Sequence, residues 1–323
     1  MIYRTLKSLL MLPVLWAALY AAPTDAADAW PARPIRMIVP FAPGGSNDVI
    51  ARKLAERLTA ILGQSVVVEN RGGAGGVVGS NAVALAAPDG YTFLFVSGSL
   101  ATSAAVQKTP YDPLTAFTAV SRVATAPFVI LTRTGFPATT LPQLIAYAKA
   151  NPGKINYGSA GLGDSTQLAT ELLSNIAGIK MQAVGYNGIA PAQLDLLAGR
   201  LDLIITTVAA IRGTAADKLP KLAFTTAQRD PEFPDVPTAK EAGIDYVVDV
   251  WWGVFAPRNL PAAILTRMNG AIAQVTAEPA FAAFLRTSGA QSTPSSPQAL
   301  QETLARDLER WTDTAQRAGI RQN

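Results

Sequence analysis

The chain contains no cysteine and no histidine. Without thiols it has no disulfide, no thiolate metal ligand, no cysteine nucleophile and no cysteine for an N-terminal lipid anchor. Without imidazole it has no Ser-His-Asp or Cys-His machinery and no histidine metal site. Charge is sparse as well: 15% of residues are charged, with a net +4. These charges are scattered, with no basic run interleaved with aromatics, so no nucleic-acid partner is expected. No Gly-Lys-Ser/Thr phosphate loop and no Gly-x-Ser-x-Gly nucleophile elbow is present. The absences point away from a catalyst; no cofactor and no metal are expected. A serine hydrolase is the weak enzymatic alternative.

What is present begins with an export signal. Arg4 and Lys7 precede an apolar run from Leu9 to Ala22, broken by Pro13. That run is shorter than the roughly 20 residues that span a bilayer. Ala27-Asp28-Ala29 then fits a small-x-small cleavage site. Residues 1–29 read as a secretory signal peptide, with the mature chain starting between Asp28 and Trp30. Its loss removes two basic and two acidic residues (Arg4, Lys7, Asp25, Asp28) and leaves the balance unchanged.

Beyond it, short apolar runs alternate with amphipathic ones. Strands are expected at Ile35–Phe41, Val66–Glu69 and Thr92–Val96. Helices are expected at Asp48–Leu62, where Ile50, Leu54, Leu58 and Ile61 share a face, and at Val77–Ala87. This βαβαβ order predicts a mostly parallel sheet covered by helices. A second α/β series runs from Phe128 to Val250, followed by a helix-rich tail from Pro261 to Ala318. The tail has too few strands for a third unit and is expected to return to the first. The reading is an α/β chain of two lobes: residues 30–127 with 256–323, and residues 128–255. Two hinge crossings, near 128–132 and 250–256, would leave a ligand cleft between the lobes.

Two strand-to-helix turns could face each other across that cleft. The first is Phe41-Ala42-Pro43-Gly44-Gly45-Ser46-Asn47-Asp48. The second is Ser159-Ala160-Gly161-Leu162-Gly163-Asp164-Ser165-Thr166. Glycines allow close backbone approach, and free N–H groups at a helix start suit an anion. Each turn is expected to hold one end of a diacid through backbone N–H groups, with Ser46, Asn47, Ser165 and Thr166 adding side-chain bonds. Both turns also read simply as capped turns. Neither contains Lys or Arg; Arg52, the nearest, reads as a solvated surface charge. Ser97 and Ser99, Tyr186 and Asn187, and Trp251 are further cleft candidates. Asn70-Arg71-Gly72-Gly73-Ala74-Gly75-Gly76 lacks the third glycine of a dinucleotide fingerprint and reads as a structural turn.

At these motifs the sequence resembles the tripartite tricarboxylate transporter substrate-binding proteins, or Bug receptors. The resemblance is carried by Gly44-Gly45-x-x-Asp48, Val68-Glu69-Asn70-Arg71, Gly73-Ala74-Gly75-Gly76 and Ala87-Pro88-Asp89-Gly90-Tyr91-Thr92. It continues through Tyr157-Gly158-Ser159-Ala160-Gly161 and Pro234-Asp235-Val236-Pro237-Thr238. The resemblance implies a two-lobe periplasmic-binding-protein fold, a periplasmic location and a small di- or tricarboxylate ligand. It implies delivery to a permease of one large and one small membrane subunit. Apart from the resemblance, the receptor is expected to be a monomer. In such receptors the Gly-Gly-x-x-Asp and Gly-x-Gly loops hold the ligand, which carries over to Gly44, Gly45, Ser46, Asn47 and Asp48, and to Ala160, Gly161, Gly163, Asp164, Ser165 and Thr166. Gln167 stands where histidine is frequent, Asn187 where lysine is frequent, and Ile205-Thr206-Thr207 is neutral where an acid and an amide are frequent. A receptor that presents its ligand to a sensor is the other binding-protein alternative.

Overall fold

A computed structural model describes residues 30–320. The expected signal peptide lies outside the described residues. The first unit opens with β1 (Ile35–Val39), α1 (Ser46–Leu62), β2 (Val66–Asn70), α2 (Val77–Ala84), β3 (Thr92–Ser97), α3 (Ser99–Val106) and β4 (Phe117–Pro127). The second comprises β5 (Val129–Thr132), α4 (Leu141–Ala150), β6 (Asn156–Ser159), α5 (Ser165–Ala177), β7 (Gln182–Gly185), α6 (Ile189–Leu197), β8 (Leu203–Thr206), α7 (Val208–Ile211) and β9 (Lys221–Phe224). The chain then returns through β10 (Asp249–Pro257), α8 (Ala262–Ala277), α9 (Pro279–Thr287), β11 (Gln291–Ser292) and α10 (Pro297–Ala318).

Two sheets result, one per lobe. The first has the order β11-β4-β10-β3-β1-β2 and the second β7-β6-β8-β5-β9. Each has a parallel core to which antiparallel strands are added: β1 with β2 and β3, and β6 with β7 and β8. Strands covered on both faces must be apolar throughout, and Ile35, Met37, Ile38 and Val39 of β1 are all inaccessible to solvent. Helix α1 buries Ile50, Ala51, Leu54, Ala55, Leu58 and Leu62 on one side. It stops at Gly63, whose positive φ of 72° turns its N–H back onto the Thr59 carbonyl, the usual glycine helix stop.

Strand β4 and helix α3 have no clear signature in the sequence. β4 is rich in Ala, Ser and Thr, and is held by β10 along its length and by β11 at one end. Seven of the eight residues of α3 are buried, so it shows no amphipathic stripe to recognise.

The chain passes from one sheet to the other at Phe128 and again before Asp249. One side chain ties both passages together. Phe128 N–H donates to Thr225 Oγ1 at 2.8 Å, and Thr225 Oγ1 donates to the Val248 carbonyl at 2.5 Å. The passages are also hydrogen-bonded neighbours, since Asp249 and Val250 pair with Pro127 and Ala126.

Candidate functional site

Where the two sheets meet, the starts of several helices converge on one enclosed cavity of about 30 Å³. The first lobe supplies Phe41, Gly45, Ser46, Asn47 and Ser97; the second supplies Ala160, Asp164, Ser165, Thr166, Ile189 and Thr206. Phe128 and Val250 close it at the hinge, and Thr207 completes it. Phe128, Ile189, Thr207 and Val250 are not site candidates from the sequence. The first and last are the hinge passages themselves, so the topology was their available signal.

The two loops differ in what they leave free. Helix α1 has no side-chain cap. Asp48 instead reaches back, accepting the Gly44 N–H at 3.0 Å and the Asn70 amide at 2.9 Å. It also pairs with Arg52 at 2.8 Å. Burial raises the Asp48 pKa, but bonds from Arg52, Gly44 and Asn70 outweigh this and hold it below its ordinary value. Asp48 therefore shapes the loop and does not line the cavity. Arg52 is half-exposed but paired with Asp48 and Asn70, so it is not the freely solvated charge expected. Ser46, Asn47 and Asp48 have N–H groups with no partner among the described residues, as a bare helix start leaves them.

The second loop satisfies itself. Asp164 caps α5, accepting the Thr166 N–H at 2.7 Å, the Thr166 hydroxyl and, at 3.3 Å, the Ala160 N–H. Gly163 N–H donates to Gln167 Oε1 at 2.6 Å, and Ser165 N–H to Ser99 Oγ at 3.3 Å. The expectation that this loop offers its N–H groups to a diacid is corrected for these positions: the side chains of Asp164, Thr166 and Gln167, and Ser99 of the first lobe, occupy them. Burial pushes the Asp164 carboxyl above its ordinary value, against the bonds from Thr166, Ser99 and Ala160.

Ser99 is behind the cavity wall and joins the lobes. Its hydroxyl donates to Asp164 Oδ2 at 3.0 Å and lies 2.8 Å from the Ser97 hydroxyl. Gly44, Gly161 and Gly163 support the loops from outside the lining. Tyr186 points away, donating its hydroxyl to Asp195 at 2.6 Å. Asn187 contributes only its carbonyl, which accepts the Ala42 N–H at 3.0 Å across the lobes. Trp251 is also corrected. It is 5% exposed, packs beside Phe255 and donates to Asp307 at 2.7 Å; strand alternation turns Val250 to the cavity in its place.

A wider groove of about 690 Å³ lies outside the hinge, between the Thr225–Glu232 segment and the Arg286–Gln291 segment. It has no converging helix starts, so the smaller cavity is the better candidate site despite its size. Among the described residues no helix is long and apolar enough to cross a membrane.

Two α/β lobes joined by two passages, with helix starts facing a buried cavity, define a hinged solute-binding protein. A model of the tripartite tricarboxylate transporter family receptor matches residues 50–320. The chain is 37% identical over 306 residues to protein BugT of Bordetella pertussis, covering 93% of this chain and 94% of that one. It is similar to the periplasmic binding protein BugD, with TM-score 0.86, 34% identity and coverage of 91% and 100%. It is equally similar to R. palustris Rpa4515 with adipate, with TM-score 0.86, 37% identity and coverage of 90% and 98%. The chain belongs to the tripartite tricarboxylate transporter receptor family.

Proposed function

We propose that this chain is exported to the periplasm, closes on a small organic carboxylate and delivers it to a tripartite permease. The observation that carries the reading is the bare start of α1 at the cavity. Ser46 and Asn47, with their free N–H groups at the positive end of a 17-residue helix, line a space bordered by no lysine or arginine. Such a terminus attracts an anion by its dipole and its unpaired donors. The adipate bound to the similar R. palustris protein supports the carboxylate class. At about 30 Å³ the cavity holds little more than a water molecule or two, so a ligand enters only as the lobes part. No catalytic step is proposed: the family that the chain belongs to is one of receptors. Delivery and location rest on family membership.

A thermal-shift screen of the purified protein against organic acids tests the binding step. A ligand at a hundredfold excess over its Kd stabilises by about 2.7 kcal/mol, a readily measured rise in Tm. No rise with any carboxylate sinks the reading. Delivery is tested by loss of uptake of that acid when the gene is deleted, and export by finding a mature N-terminus between Asp28 and Trp30 in periplasmic extract.

A further inference from the structure

The cavity is polarised in a way that a simple diacid does not match. This inference rests on the reading that the cavity takes a carboxylate. On one side stands the uncapped start of α1, with donors only partly used. On the other stands Asp164, 3% exposed and the one ionisable side chain among the lining residues. Asp164 already occupies the positive end of α5, where a second ligand carboxylate would otherwise sit. A diacid would bring its second negative charge towards a buried carboxyl with no cation to separate them, and like charges at close range disfavour both ionised forms.

The unpartnered atoms point the same way. Asn47 is 8% exposed and Thr207 2%. Asn47 Oδ1 and Thr207 Oγ1 have no hydrogen-bond partner among the described residues, and both residues line the cavity. Asp164 Oδ2 accepts one bond, from Ser99, and has capacity for another. Asn47 Oδ1 from the first lobe and Asp164 Oδ2 from the second can only accept, while the Thr207 hydroxyl can donate or accept, so the cavity has acceptors that call for donors. A buried polar atom left unpaired is costly, so its partner is to be sought in the ligand.

We propose that the ligand is a zwitterion of amino-acid type, its carboxylate on the start of α1 and its ammonium on Asp164. An ammonium brings three donors and one positive charge, which suits a carboxylate and neutral acceptors. Burial, which disfavours ionised Asp164, is offset by a cation beside it. Phe41, Phe128, Ile189 and Val250, with the hydroxyl residues Ser97 and Thr206, make up the remaining wall, which carries no charge, so the side chain of the ligand is expected to be small and uncharged.

Titration calorimetry decides the matter with matched sets. Each common α-amino acid is compared with its deaminated parent acid and with its methyl ester, on wild type, Asp164→Asn and Asp164→Ser. Asn and Ser also cap helix starts, so circular dichroism should show both variants folded. The expected result is that at least one amino acid binds wild type about ten- to a hundredfold tighter than its parent acid, the worth of a hydrogen bond to a charged group. Both variants should lose that preference. Parent acids binding wild type as tightly as the amino acids would overturn the zwitterion and leave the carboxylate reading intact. Esters binding as tightly as the free amino acids would overturn both. Binding by none of the amino acids also overturns the proposal. So does a preference that survives in both variants.

Discussion

Asp48 stands in the first turn of α1 and Asp164 caps α5, and the two act with opposite sign. Asp48 lies below its ordinary value. Its contribution to stability is present above the unfolded-state pKa and is lost as pH falls through the lower folded value. Asp164 lies above its ordinary value because it is buried. Its contribution is greatest below the unfolded pKa and is lost as pH rises through the folded value. In the absence of ligand, the Tm of Asp164→Asn relative to wild type should therefore rise as pH climbs from about 4. A constant or falling difference in parallel melts would contradict this. Ser46→Ala should weaken ligand binding about ten- to a hundredfold, the loss of one hydrogen bond to a charged group. Arg52→Ala should change it little, because Gly44 and Asn70 still hold Asp48. Calorimetry on this pair separates the donor wall from its outer support; a large effect of Arg52→Ala with none of Ser46→Ala would reverse the assignment.

Among the elements, the glycine-rich turn after β2 does more than change direction. Gly75 lies against the second lobe, so a Cβ added there would stand 2.1 Å from the Leu162 carbonyl oxygen. Gly161 faces it in turn, its own added Cβ 2.9 Å from the Gly75 nitrogen. Ser103 Oγ donates to both Gly75 O, at 2.6 Å, and Gly163 O, at 3.3 Å. Gln107 likewise spans Ala74 O and Leu162 O, both at 3.0 Å. These contacts form a clasp between lobes that a methyl group cannot enter. Gly75→Ala should leave each lobe folded but hold the lobes apart. Small-angle scattering with saturating ligand should then show a larger radius of gyration than wild type. Equal radii would show that the clasp tolerates the methyl. The same logic applies at Gly45, whose added Cβ meets Ile189 Cγ2 at 3.4 Å; Gly45→Val should wedge the cleft and weaken binding.

At the scale of the molecule, the two passages between the lobes are tied together where Phe128, Thr225 and Val248 meet. Thr225 makes five hydrogen bonds with Phe128 and Val248, two through its backbone and three through its hydroxyl. Thr225→Val keeps the shape and the backbone bonds but strands the Phe128 N–H and loses the donor to Val248. It should cost roughly 1–3 kcal/mol, the penalty for unpaired buried groups, seen as a shifted denaturant midpoint. A midpoint within error of wild type would mean that the hinge is held by backbone pairing alone.

Local pattern was enough to read the parallel cores, because β1 and α1 declare themselves through continuous or 3.6-spaced apolar residues. The missing cysteine and histidine narrowed the chemistry, and the two Gly-rich strand-to-helix turns are the loops that reach the cavity. What local pattern could not contain was the partner of each group. Asp164 reads as a cap in sequence, but only its contact with Ser99 of the other lobe makes it part of a wall. Trp251 and Val250 are adjacent in sequence, and only the pairing of β10 decides which faces the cavity. The 73–76 turn became a clasp only once Leu162 was laid against it. Periodicity is set within one element and survives in sequence; cavity walls and lobe contacts join residues dozens to more than a hundred positions apart, and only the folded chain brings them together.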